Sequence, residues 1–398
     1  MKEIIMVKYG EIALKGINKK TFEDMLQSNI KRRLKKIGLF SYERMQSTIY
    51  IEPQDENADV DEAVKALMKI FGIGAIQKCA VFPKDIDAVR ERLGDYLKEA
   101  LDGAKSFKIE AKRADKTFPL TSPEIQQTLG DAVLDAFPEI AVDVHKPDVT
   151  VRLEIRDNGA YLSAKRITGA GGMPVGSSGK ALLMLSGGID SPAAGYMMAK
   201  RGLVVDCIHY ISPPYTSERA LTKVRKLCEE MTEYCGDIMF YCVPFTELQE
   251  AIRDNCPEEY FTVIMRRLMV KIANHFCEKD GYGAIITGES LAQVASQTLP
   301  ALGCTNAAAE LPVFRPLIGM DKIEITDIAR KIGTFETSIL PYEDCCSVFS
   351  PKHPRTKPRL EDILKAEAAF DFEPLIQKAV SETTVTRYKY GEETVFLE

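Results

Sequence analysis

Between residues 181 and 318, five short apolar runs (ALLMLS, VVDCIHY, IMFYCVPF, GAIITGE and PVFRPLI) alternate with stretches of helical spacing. Strands separated by helices cannot pair as simple hairpins, so the alternation predicts a doubly wound parallel sheet covered on both faces. Ligands of such sheets lie beyond the carboxyl ends of the strands. The residues to inspect are therefore Ser186 onward, His209 and Tyr210, Pro244 and Phe245, Gly288 and Glu289, and Arg315. The first run is the most informative. Its LLMLSGGIDSP string, residues 182–192, reads as a buried strand, a tight turn and the start of a helix that stops at Gly202. Gly187 and Gly188 allow close approach of an anion, Ser186 and Ser191 offer hydroxyl donors, and the unpaired N–H groups of a helix start favour negative charge. A phosphate is expected there.

The string is not a Walker A loop. That loop needs a glycine five positions before its Gly-Lys pair and Ser or Thr after it, whereas Gly179-Lys180 has Pro174 and Ala181 at those places. The run GAGGMPVGSSGK from Gly169 reads instead as part of a flexible linker, residues 168–179, feeding the strand. The 398 residues leave room for two or three domains, and 45% hydrophobic content suits a sizeable core. No apolar run approaches 18 residues, and MKEIIMVKYG lacks the long apolar region and cleavage site of a signal peptide, so a cytoplasmic protein without a membrane span is expected. Ten cysteines without a C-x-x-C pair argue for reduced thiols and against a zinc or iron–sulfur site. The net charge of −6 is uneven: residues 1–170 carry 28 basic and 27 acidic side chains, the remainder 24 and 31. The N-terminal half is thus the better host for a polyanion.

Residues 1–82 follow a βαββαβ pattern: strand IIMVKYG, helix 19–37, the alternating pair FSYERM and STIYIE, helix 60–70, and strand AIQKCAVF. This predicts a ferredoxin-like α+β domain. Its first helix ends in Lys31-Arg32-Arg33-Leu34-Lys35-Lys36, where cations suit a helix C-terminus and a solvated face as well as they suit phosphates. Residues 83–167 continue with helix DIDAVRERLGDYLKEAL, strand SFKIEAKR, helix SPEIQQTLGDAVLDAF, and the strands DVTVRLEIRD and GAYLSAKRIT around an Asn158-Gly159 turn. Two strands end in basic pairs, Lys112-Arg113 and Lys165-Arg166, which with Lys116 and the first-helix cations Lys31, Arg32 and Arg33 make up the candidate RNA-contacting set. FKIEAKRADKTFP followed by an EI-x-x-x-LG helix resembles the THUMP domain, an α+β module of RNA-modifying proteins.

Residues 180–398 hold the remaining candidates. An aromatic at Tyr210 could stack on a base, and His209 beside it is either part of that corner or a satisfied core histidine. Arg266 and Arg267 interrupt the apolar helix YFTVIMRRLMVKIA, so at least one guanidinium must meet an anion or a water-filled cavity. Gln293 and Gln297 are expected one turn apart on a helix after GAIITGES, and Gly288 would let a ligand approach the strand end. Lys322 begins another helix, as a surface lysine or as a cation opposing negative charge that develops on a reacting group. Asp190, a carboxylate inside a phosphate loop, must orient a donor or a metal. Cys345 and Cys346 are vicinal thiols in an exposed-looking, Pro-rich loop with Lys352 and His353 nearby, whereas the other eight cysteines read as small buried hydrophobes.

SGGIDSP resembles the PP-loop of the ATP pyrophosphatases. Together with the ferredoxin-like start, the THUMP-like module, the MRRLM helix, TGESLAQVASQT, RPLIGMDKIEI and the Cys345-Cys346 loop, it makes the whole chain similar to the tRNA 4-thiouridine synthetases. The resemblance implies that ATP activates the uridine carbonyl at tRNA position 8 as an adenylate, and that persulfide sulfur displaces AMP. It implies ATP contacts by Met184, Leu185, Ser186, Gly187, Gly188, Asp190, Ser191, His209, Tyr210, Arg266, Gly288 and Gln297, with Asp190 and Lys322 serving adenylation. Magnesium is expected with the ATP. Some longer members carry a C-terminal rhodanese domain. After Pro358 this sequence shows an amphipathic helix and a charged tail, so a separate cysteine desulfurase is expected to supply sulfur, directly or through Cys345 or Cys346. The family's link to thiazole synthesis goes with the rhodanese part and is not expected here. A homodimer spanning one tRNA is expected too. The competing readings are a PP-loop ligase with another acceptor and an RNA-binding scaffold.

Overall fold

A computed structural model describes residues 1–342, 345 and 348–391, and the backbone of 395–397. The chain divides into two compact units, Met1–Met173 and Pro174–Glu398.

In the first unit, alternating apolar residues build β1 (Glu3–Tyr9), β2 (Phe40–Met45), β3 (Thr48–Pro53) and β4 (Ile73–Phe82), with α1 (Lys19–Leu34) and α2 (Val60–Leu67) covering one face. The second module adds α3 (Ile86–Leu101), β5 (Ser106–Arg113), α4 (Ser122–Ala136), the short β6 (Ala141–Val142), β7 (Val149–Arg156), β8 (Gly159–Ser163) and β9 (Ile167–Thr168). Thr121 starts α4 with a capping box closed by Glu124, which satisfies the first N–H groups of the helix. The two modules do not have separate sheets. β4 pairs with β8 from Ala80↔Leu162 to Phe82↔Ala160, giving one nine-stranded sheet of order β2-β3-β1-β4-β8-β7-β5-β6 with β9 also on β4. Lys8 on β1 binds the Glu154 carboxylate on β7 and so ties the modules across the shared sheet, while Arg156, two residues along β7, holds the same carboxylate at 2.7 Å.

The expected flexible linker is instead held by backbone hydrogen bonds. Gly169 N–H donates to Gly74 O at 3.2 Å and Gly171 N–H to Ile73 O at 2.9 Å, while Met173 is buried in the N-terminal core. In the second unit, Gly176 and Ser178 N–H groups both donate to Gly202 O. The cause is β9, which runs on along β4 before the chain leaves the sheet.

The second unit has β10 (Lys180–Met184), α5 (Asp190–Ala199), β11 (Val204–Ile211), α6 (Glu218–Cys235), β12 (Ile238–Pro244), α7 (Thr246–Asn255), α8 (Phe261–Asp280), β13 (Ile285–Ile286), α9 (Leu299–Asn306), β14 (Val313–Phe314), α10 (Lys322–Ile332) and α11 (Phe335–Ser338). The strands β14-β13-β10-β11-β12 are parallel, as expected. The tail differs from expectation. It forms α12 (Leu360–Glu367), α13 (Glu373–Ser381), β15 (Thr384–Tyr388) and β16 (Val395–Leu397), and β15 adds to the sheet edge antiparallel to β12. α8 lies in the large core on one face with Tyr210, Tyr241, Ile285 and Phe372. On α5, a side chain at Gly195 would reach Met231 Cε and Leu183 Cδ2 at 2.6 and 2.8 Å, so glycine sets how closely that helix lies on the sheet. Among the described residues no helix is long and apolar enough to cross a membrane.

At Gly169 a side chain would overlap the Ile73 carbonyl, part of the backbone that must stay in place for β9 pairing. Gly169→Ala is expected to lower the stability of the chain by about 1–3 kcal/mol, read as a lower urea midpoint.

Candidate active site

β10 delivers the chain into Ser186-Gly187-Gly188, and α5 begins at Asp190. The loop is fastened by its two serines: Ser186 N–H donates to Ser191 Oγ at 2.9 Å, Ser191 Oγ donates to Ser186 O at 3.2 Å, and the two hydroxyls lie 3.0 Å apart. Neither Gly187 nor Gly188 has positive φ, and a Cβ at Gly188 would meet only Ser186 Oγ at 3.6 Å. Gly188 is therefore not demanded by internal packing, and its bare Cα leaves room for an outside group beside the helix N-terminus. Gly288 has a different role from the one expected. A Cβ there would stand 2.7 Å from Ser191 N and 2.9 Å from the Asp190 carbonyl carbon, so glycine lets the end of β13 abut the first turn of α5.

Asp190 and Lys322 come together from helices far apart in sequence, with Lys322 Nζ 2.6 Å from Asp190 Oδ1. Lys322 is the first residue of α10, whose start is fixed by Asp321 accepting from the Ile323 and Glu324 N–H groups. Gln293 joins them: its amide donates to Asp190 Oδ2 at 3.2 Å and accepts from Lys322 Nζ at 3.1 Å, in the orientation that gives each atom a complementary partner. The expected helix carrying Gln293 and Gln297 on one face is absent. Residues 290–298 form a loop with one 3₁₀ turn, and the helix starts only at Leu299, where Thr298 caps it and Pro300 occupies the first turn. Gln297 is buried in that loop.

Arg266 meets a buried carboxylate that follows Gly288. Glu289 lies 3.0 Å from Arg266 Nη2 and 2.7 Å from Arg315 Nε, and it accepts from Thr287 Oγ1 at 2.9 Å. Burial acts to raise the Glu289 carboxyl, but the Arg266 and Arg315 guanidiniums outweigh it and hold it below the ordinary carboxylate value. Arg267 points elsewhere, to Glu367 at 2.6 Å and the Cys304 carbonyl at 2.7 Å. Both arginines of the MRRLM helix therefore have the anion that their burial demands. Glu289 and Arg315 entered the sequence reading only as strand-end positions; nothing in the linear pattern marks them as partners.

The base-side corner needs correction. Tyr210 is 4% exposed, packs edge-on against Phe245 at 5.3 Å, and donates its hydroxyl to Met269 O at 2.6 Å, so its ring is not open for stacking. His209, on the opposite face of β11, bonds through Nδ1 to Leu185 O at 2.9 Å, which assigns the proton to Nδ1. It is buried, as a core histidine would be. Leu185 is buried as well, and Met184 is half-buried.

Cys345 is not in an exposed loop. It is 4% exposed, its carbonyl accepts from Gln249 Nε2 at 2.8 Å, and Phe349 just beyond it packs on Phe261 and Tyr215. Cys346 lies outside the described residues. Of the other eight cysteines all but Cys256 are buried, and burial pushes the Cys79 and Cys277 thiols up to about 12. Among the basic candidates, Lys31, Arg32, Lys112, Lys116, Lys165 and Arg166 are exposed. Arg33 is buried because it falls on the core face of α1 between Ile30 and Leu34. Arg113 braces a turn by donating to Phe118 O and Leu120 O at 2.9 and 3.1 Å.

Two predictions follow from this geometry. Gly288→Ala forces apart β13 and the α5 N-terminus, and ATP affinity measured by equilibrium dialysis is expected to fall about tenfold or more. Glu289 contributes stability that is fully present above the ordinary carboxylate range and lost as pH falls through its lowered folded value. Glu289→Gln is expected to cost about 3–5 kcal/mol at neutral pH and to flatten the acid limb of the stability profile between about pH 5 and 3, followed by urea denaturation.

The family model for the thiamine biosynthesis protein (ThiI) matches residues 176–372, that for the ThiI ferredoxin-like domain residues 4–76, and that for the THUMP domain residues 83–165. The "Probable tRNA sulfurtransferase" of Acetivibrio thermocellus is 51% identical over 97% of this chain and 100% of its own length. That of Alkaliphilus metalliredigens is 48% identical over 99% and 100%. The crystal structure of a 4-thiouridine synthetase–RNA complex with bound ATP superposes with a TM-score of 0.90 at 37% identity, covering 98% of this chain and 100% of that one. PH1313 from Pyrococcus horikoshii Ot3, with a TM-score of 0.63 at 22% identity over 83% and 99%, shares the fold. With identity near one half along the full length, this chain belongs to the tRNA sulfurtransferase family, the one that the ThiI model describes.

Proposed function

We propose that the chain transfers sulfur to uridine 8 of tRNA, forming 4-thiouridine in an ATP-dependent reaction through an adenylated uridine and a persulfide donor. The observation that carries this reading is the Asp190–Lys322 pair set against the serine-fastened Ser186–Ser191 loop. A uridine carbonyl oxygen is a poor leaving group; adenylation converts it into AMP, which a sulfur nucleophile can displace. Loop N–H groups and the start of α5 suit the ATP phosphates, while the Lys322 ammonium offsets charge that develops on the departing pyrophosphate. Arg266, held by Glu289, adds a second fixed cation. The solved 4-thiouridine synthetase with RNA and ATP supports both substrates.

Magnesium fits this site as a companion of ATP. Its ligands would be phosphate oxygens, water and one carboxylate at the start of α5. Asp190 would be that carboxylate. When bound, the ion would neutralise phosphate charge; Asp190 and Lys322 themselves orient and balance the reacting groups. Sulfur would come from a cysteine desulfurase, directly or through Cys345 or Cys346. The terminal persulfide sulfur displaces AMP to leave a disulfide between the carrier and the base, and a thiol then cleaves that S–S bond, releasing 4-thiouridine and ending as a disulfide with the carrier. A cytoplasmic homodimer bridging one tRNA is the assembly we favour, and light scattering with and without tRNA tests it.

The purified chain with ATP, magnesium, a desulfurase, cysteine, a dithiol reductant and unmodified tRNA is expected to yield 4-thiouridine and AMP, and Asp190→Ala to lose at least about 100-fold in both. AMP release without thiouridine would favour a PP-loop ligase using another acceptor. Full thiolation by a Cys345→Ala/Cys346→Ala double variant would remove that pair from the sulfur path.

A further inference from the structure

The Asp190–Lys322 pair has a third member. Gln293 completes a closed triangle in which Asp190 Oδ1 takes the ammonium, Asp190 Oδ2 takes the amide N–H, and the amide oxygen takes a second ammonium proton. Three separate segments meet there: the first residue of α5, the first residue of α10, and the loop that follows β13.

That loop is built to hold its conformation. Ala292, directly before Gln293, has φ +63°, a left-handed conformation that a residue with a Cβ rarely adopts unless its surroundings impose it. The surroundings are visible. Leu291 N–H donates to Ile318 O at 3.1 Å, Ala292 N–H to Gln297 O at 2.9 Å, and Ser290 Oγ to Met320 O at 2.8 Å. The last contact reaches the Gly319–Asp321 stretch that leads into Lys322, so one loop sets both the amide and the approach to its partner.

The chemistry gives a reason for an amide here. A lysine ammonium is a rotatable point charge on a flexible stem, and a single carboxylate fixes its distance but not its direction. A second, neutral acceptor fixes the direction without adding charge. A glutamine does both jobs at once, because its N–H binds the second oxygen of the carboxylate while its oxygen binds the ammonium. The third ammonium proton is then left aimed away from both partners.

We infer that Gln293 is a positioning residue for adenylation, acting through Asp190 and Lys322 by holding them as an amide-bridged pair. This rests on the adenylation reading above, and the test separates the two. AMP formation from ATP and unmodified tRNA is measured with the full chain for wild type, Asp190→Ala, Gln293→Met and Gln293→Glu, with ATP affinity measured separately. Gln293→Met is expected to lower kcat about 10- to 100-fold while ATP affinity stays within about threefold. Gln293→Glu keeps the side-chain length and an acceptor for Lys322 but sets a second carboxylate against Asp190 in place of the amide N–H. Its kcat is therefore expected to fall about 10-fold or more while ATP affinity stays within about threefold, a split that a merely structural residue would not show. An inactive Asp190→Ala beside a Gln293→Met within twofold of wild type overturns this inference alone. A Gln293→Glu with kcat within twofold of wild type also overturns it, and that variant decides the question if Gln293→Met does not fold. An active Asp190→Ala overturns the adenylation reading and this inference with it.

Discussion

The contact between Gly288 and the first turn of α5 governs the C-terminal unit. With 2.7 Å between a would-be Cβ and Ser191 N, the end of β13 and the phosphate-loop helix are locked together through backbone. Every functional side chain nearby inherits its place from that contact. Glu289 follows at once and draws Arg266 and Arg315 to itself, and four residues further Gln293 reaches Asp190. The loop N–H groups are consequently pre-set before any ligand arrives, which is the condition for electrostatic stabilisation without reorganisation.

Two kinds of ion pair then divide the work, and their magnitudes say which can move. The Glu289 pair is almost fully enclosed, with the carboxylate side chain 2% exposed, and breaking such a pair costs about 3–5 kcal/mol. It stays. Lys322 is half exposed, and an ion pair of that kind contributes about 0–1 kcal/mol net. It can take a further anion at little cost. A triphosphate arriving at the loop would thus find Arg266 and Arg315 immovable and Lys322 able to aim its remaining ammonium proton at phosphate oxygens while Asp190 and Gln293 hold the other two. The arrangement holds three cations against two carboxylates, a surplus suited to a polyanion despite the acidic balance of residues 171–398.

Much of this was legible in the sequence because it rests on local pattern. Strand and helix alternation gave the five parallel strands and the βαββαβ start, and SGGIDSP marked the turn from β10 into α5. What the sequence hid depends on tertiary partners. A hydrophobic period cannot say that β4 and β8 merge two modules into one sheet. It cannot say that Gly288 serves a backbone contact, nor that Tyr210 faces α8. A polar-looking loop misled for Cys345, since Phe349 seats the segment against Phe261 of α8 and Arg253 of α7 and Cys345 joins the large core. The glycine-rich linker misled in the same way: glycine permits flexibility, yet here it permits close backbone pairing along β4.

Net charge is a poor guide to the N-terminal unit for a related reason. Its cations and anions are nearly equal in number, but they are not equally available. Lys8, Arg156, Arg152, Lys84 and Arg44 sit in ion pairs, so acidic side chains are consumed along with them. Lys112, Lys116, Lys165 and Arg166 are exposed and have no ion-pair partner among the described residues. Lys31 is exposed above the Tyr42 ring, a cation beside an aromatic face. A phosphate backbone responds to the cations left open to solvent, not to the sum over the chain, and long-range repulsion from paired carboxylates is screened within about 8–10 Å at physiological salt. A nearly neutral module can therefore bind RNA, and its affinity should depend on the open lysines and on salt far more than on its composition.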